Sequence, residues 1–115
     1  MTKDKGKIEY AIRHLMERRK AFDGISKRQM IILCDVGTTE GEYTKTNSEI
    51  MRMCGYRYRQ GVKKELQSLE QQGLIHITYF QNERRHTKRV LELGKGFIYA
   101  VEMEMAEIEQ QGKEA

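Results

Sequence analysis

Between Tyr56 and Lys64 the chain reads YRYRQGVKK, and three residues later comes Gln67. These are the residue types that read and grip a polyanion. An arginine can fork onto guanine and a glutamine onto adenine, each worth about 1–3 kcal/mol of base discrimination. Lysine is a point charge without fixed direction and suits phosphate. If Val62 and Leu66 turn inward, then Arg59, Gln60, Lys63 and Gln67 turn outward. Arg59 and Gln60 are then the candidates for base edges, with Lys63 and Lys64 beside phosphate and Arg57 as a further candidate DNA contact. Of Tyr56 and Tyr58, one is expected to pack on the preceding helix; the other, taken here as Tyr58, is free to touch a phosphate or sugar. Gly61 costs a helix about 1 kcal/mol relative to alanine, and a close approach of backbone to nucleic acid would explain it. Taken alone, such a charge run reads as a solvated helix face.

A second cluster, NERRHTKR from Asn82 to Arg89, places Arg84, Arg85, Lys88 and Arg89 within six residues. On a projecting loop these cations would reach flanking phosphates or a minor groove. Glu83 is unfavourable beside phosphate and should turn away.

No comparable constellation supports catalysis. Ser26 and Ser48 stand where helices start. His14, His76 and His86 are scattered without a carboxylate or cysteine partner in view, and His86 has no neighbour at ligand spacing. Cys34 and Cys54 lie in apolar stretches without a C-x-x-C or zinc spacing, so two buried free thiols are expected. No enzyme activity, metal or cofactor is expected.

The distribution of charge supports the same surfaces. Across 115 residues the net charge is +4. Residues 1–30 hold nine Lys/Arg against four acids, and residues 56–89 hold eight against three. Residues 90–115 hold two against six, so the tail is acidic. A basic block of this kind is the electrostatic footprint of a nucleic-acid binder. No apolar run approaches the ~20 residues that span a bilayer. The first ten residues lack the apolar centre of a signal peptide, so a cytoplasmic location is the default expectation.

These clusters need elements to hold them. Ile8, Ala11, Ile12, Leu15 and Met16 recur at helical spacing and predict a helix over about Asp4–Ala21. Ser26 and Gln29 form an S-x-x-Q capping box that opens a second helix, with Gly37 as its stop. Tyr43 and Thr44 suit a short strand. Thr46 and Glu49 form a T-x-x-E box that opens a third helix, ended by Gly55. A fourth helix is predicted from Tyr56 to Gln72, cored by Val62, Leu66 and Leu69 and ended by Gly73. Ile75, Ile77 and Tyr79 alternate with His76, Thr78 and Phe80, which is strand periodicity. A loop over Gln81–Thr87 and a return strand through Val90, Leu91 and Leu93 complete a hairpin. A last helix over about Lys95–Gln111 carries Phe97, Val101, Met105 and Ile108, with Glu102, Glu104, Glu107 and Glu109 on its remaining faces. The expected fold is mainly α with a small β-hairpin, ordered α-α-β-α-α-β-β-α. A short helix, a tight turn and a longer helix followed at once by a hairpin make a helix-turn-helix with a wing.

The stretch VKKELQSLEQQGLI, Val62 to Ile75, resembles the recognition helix and wing start of winged-helix regulators of the MarR and PadR kind. Val62, Leu69, Glu70, Gly73, Leu74 and Ile75 carry the match. Leu91 to Gly96, LELGKG, is similar to the L-T-x-x-G junction after the wing, with Glu92 departing from the usual threonine. The resemblance covers roughly Ser26–Tyr99. It implies one winged-helix domain over residues 1–115, with a core at about 26–94 and flanking helices at 4–21 and 95–111. It further implies sequence-specific binding of double-stranded DNA, control of transcription, and a homodimer through the terminal helices. From charge alone, the basic first helix and acidic last helix could pair within a subunit or across a dimer. Winged helices also serve plasmid and phage replication, and some bind only protein. Those two roles, a replication or recombination accessory factor and a protein-binding adaptor, are the alternatives. No effector ligand is legible.

Overall fold

The capping boxes determine where two of the helices begin. In the computed structural model, which describes residues 4–18 and 24–114, Ser26 and Gln29 bond reciprocally. The Gln29 N–H donates to Ser26 Oγ (3.1 Å) and the Ser26 N–H to Gln29 Oε1 (3.0 Å). Helix α2 follows over Lys27–Thr38. Thr46 and Glu49 do the same for α3, Asn47–Cys54, and Gly55 closes α3 in the left-handed region at φ 75°. Each box satisfies two backbone donors that a helix end leaves open.

Helix α1 spans Lys5–Arg18. Its whole predicted stripe, Ile8 to Met16, is buried. The predicted continuation to Ala21 lies outside the described residues. Helix α4 spans Arg59–Gln71, strands β1 and β2 span Ile75–Gln81 and Thr87–Leu93, and α5 spans Lys95–Glu114. The described residues thus form five helices and one two-stranded antiparallel sheet, a mainly helical α+β architecture. Helix α1 packs on both α2 and α5, and α4 leads into the sheet. One core joins them, with Ile12, Ile32, Leu33, Ile50, Val62, Leu69 and Leu74 fully buried. No helix among the described residues is long and apolar enough to cross a membrane.

Several boundaries differ from expectation. Gly37 does not stop α2; it is buried inside the helix. A Cβ there would sit 2.9 Å from Ile12 Cδ1 and 3.1 Å from Leu93 Cδ1, so the glycine permits close packing of three elements. The helix ends one residue later, at Thr38, where the Thr38 and Thr39 hydroxyls donate to the Cys34 and Asp35 carbonyls (2.7 and 2.6 Å). Helix α4 begins at Arg59 and not Tyr56; Tyr58 is its extended N-cap, so Tyr56, Arg57 and Tyr58 belong to the turn. The strand expected at Tyr43–Thr44 is a single bridge, Tyr43 to Leu91.

The return strand starts three residues before Val90. Thr87 pairs with Gln81, Lys88 with Phe80 and Arg89 with Tyr79. The loop is therefore Asn82–His86, closed by Asn82 Oδ1, which accepts from the Arg84 and His86 amides (3.0 and 2.9 Å). A propensity count misses this because Thr-Lys-Arg is polar, yet the outer hairpin is solvated and asks for no apolar residue.

Helix α5 brings the other correction. Glu104, expected outside the apolar stripe of the helix, is 3% exposed. Its Oε1 lies 2.6 Å from His14 Nδ1, so His14 does have a carboxylate partner, ninety residues away in sequence. Lys7 and Glu109 pair nearby at 3.5 Å. Helices α1 and α5 pack on one another within the chain.

Candidate nucleic-acid interface

The turn before α4 is built around Tyr56. Its ring lies under the Arg28 guanidinium (4.7 Å to centroid). Burial pushes its phenol up to about 12. A Cβ at Gly61 would come within 3.3 Å of Tyr56 Cδ1. The glycine thus gives room to a tyrosine of this chain, an intramolecular reason for a residue first attributed to nucleic acid. Tyr58, by contrast, is 69% exposed.

From this turn α4 runs with Val62, Leu66 and Leu69 inward, which leaves Arg59, Gln60, Lys63, Lys64 and Gln67 all exposed. The turn residue Arg57 is exposed too, as are Arg84 and Arg85 at the hairpin tip. Arg85 takes a positive φ of 62° and donates its amide to the Asn82 carbonyl (2.9 Å).

The first turns of α4 and the outer half of β2 face one another across a groove of about 690 Å³. Helix α4 contributes Arg59, Gln60 and Lys63; β2 contributes Thr87, Lys88 and Arg89. The lining also takes in Lys45 ahead of α3, Asn47 and Ser48 at its start, and Tyr79 on β1. The lining holds five cations and no carboxylate. Arg57, Tyr58, Lys64, Gln67, Arg84 and Arg85 stand outside it, on the turn, the helix flank and the hairpin tip.

Three of the five cations have partners already. Lys88 Nζ pairs with Glu42 Oε1 at 3.0 Å, both groups being exposed, so the pair is weak and exchangeable. Arg89 is half-buried and donates to Asn47 Oδ1 (2.5 Å) and to the Lys45 carbonyl (2.8 Å). Lys45 Nζ is held by Asp35 Oδ2 at 2.6 Å. The Tyr43 hydroxyl donates to that same oxygen, also at 2.6 Å. Burial and this carboxylate hold the Tyr43 phenol far above its ordinary range.

Sequence reasoning missed Lys45, Asn47, Ser48 and Tyr79. The T-x-x-E box located the start of α3 but not its position beside the start of α4. Tyr79 continues the parity of buried Ile75, yet it is 66% exposed because the hairpin outruns the core. The described residues contain no group of three or more His, Cys, Asp or Glu side chains placed to hold a metal ion.

Compared with protein-family models and with curated proteins, the chain has no match.

Proposed function

We propose that this protein is a winged helix-turn-helix binder of double-stranded DNA, with α3 and α4 as the helix pair and β1–β2 as the wing. The observation that carries the reading is the groove itself, where the start of α4 and the outer wing converge with five cations and no carboxylate. Duplex backbone would be favoured along such a lining, because each phosphate neutralised by a cation releases counterions. Arg59 and Gln60, on the first exposed turn of α4, supply base discrimination. Arg84 and Arg85 reach along the duplex from the tip.

Regulation of transcription rests on the resemblance to MarR and PadR regulators, and so does dimerisation through the terminal helices. Tyr99 and Met103, one turn apart on α5 and 66% and 50% exposed, provide an apolar strip suited to a second copy. Selection of bound sequences from a random duplex pool tests the reading. A palindromic consensus is expected, since a two-fold protein imposes two half-sites. Recovery of no enriched duplex would defeat it.

A further inference from the structure

Arg89 is the one groove cation whose guanidinium is tied to the protein at two points, and the register explains why. Leu91 donates its amide to the Tyr43 carbonyl at 3.0 Å, an antiparallel bridge. Continuing that register, two residues after Tyr43 lie opposite two residues before Leu91, so Lys45 faces Arg89. No backbone rung forms there. The Arg89 side chain instead reaches the Lys45 carbonyl (2.8 Å) and continues to Asn47 Oδ1 (2.5 Å). It thus substitutes for the missing rung and extends the contact to the first residue of α3. The far side of that segment is held as well, since Asp35 on α2 binds both Lys45 Nζ and the Tyr43 hydroxyl.

We infer that Arg89 is a positioning residue: a strut that locks the wing to the start of α3 and so sets the width of the groove, and not a phosphate ligand. A planar fork is required, because one guanidinium must meet a carbonyl and an amide oxygen at once. Lysine carries the same charge and cannot do this. The inference uses the duplex-binding reading only for its second readout.

The first readout is amide exchange of Leu91 in the free protein. R89K and N47A should each speed it about tenfold while α4 amides stay as protected as in the parent, because the opening is local. N47D keeps the acceptor oxygen and should restore parental exchange. The second readout is footprinting and salt titration on a random-sequence duplex. R89K should lose protection of the wing-side flank and keep protection beneath α4, with the salt slope unchanged. Unchanged Leu91 exchange in R89K overturns the strut, whatever the binding result. So does an R89A variant whose salt slope falls by about 1 while R89K binds as the parent, since that is the signature of a phosphate contact. A parent that binds no duplex would sink the functional reading and leave the exchange result to decide the strut.

Discussion

Arg59 and Lys63 stand one turn apart on the same exposed face of α4, and their chemistry separates their roles. Arg59→Ala should relax selectivity at one base position while leaving non-specific binding close to parental. Lys63→Ala should weaken all duplexes alike and reduce the salt slope by about 1. Competition binding with selected and scrambled duplexes distinguishes them; equal losses of both kinds in both variants would reject the docking geometry. A different prediction concerns Cys34. Burial pushes its thiol from 9.0 to about 11, the first of several contributions. The folded state therefore holds the proton more tightly than the unfolded chain does. The resulting stability is complete below about pH 9 and is lost as pH rises through about 11. Cys54, Tyr43 and Tyr56 are raised by burial in the same direction and add to the slope. Denaturation midpoints across the alkaline range should fall, and alkylation of native Cys34 at neutral pH should be slow. A rising midpoint above pH 9 would contradict this.

At the scale of elements, local chemistry was legible wherever the signal lay in neighbouring residues. Both capping boxes, the stripes of α1 and α4 and the hairpin follow from residues within a few positions of each other. Ser26→Ala should cost about 1 kcal/mol of unfolding free energy in denaturant titrations. What sequence could not reveal depends on distant partners. Gly37 reads as a stop until Ile12 and Leu93 are seen against it. His14 reads as solitary until Glu104 arrives from α5. Arg89 reads as one more wing cation until Asn47 and the Lys45 carbonyl are placed beside it. Gly94 belongs with these, since a Cβ there would lie 2.0 Å from the Gly73 carbonyl oxygen. A backbone atom cannot step aside as a side-chain end can, so Gly94→Ala should destabilise by about 3 kcal/mol or more. Thermal unfolding of that variant at parental temperature would show the junction to be looser than described.

For the molecule as a whole, the basic face and the helical packing are on separate elements. The groove is built from α3, α4 and the hairpin, whereas α1 and α5 pair through His14–Glu104 and Lys7–Glu109. Binding and stability should therefore be separable. His14→Ala removes one of the groups that satisfy a buried carboxylate and should cost about 2 kcal/mol of stability. Its affinity for duplex, measured below its unfolding temperature, should stay near parental. The most direct test of the central claim is a titration of the intact protein with duplex DNA at two salt concentrations. With about five phosphate contacts, from Lys63, Lys64, Arg84, Arg85 and Lys88, affinity should fall on the order of several hundred-fold between about 50 mM and about 200 mM salt. A duplex affinity that does not change with salt, or no binding at the lower concentration, would contradict the account.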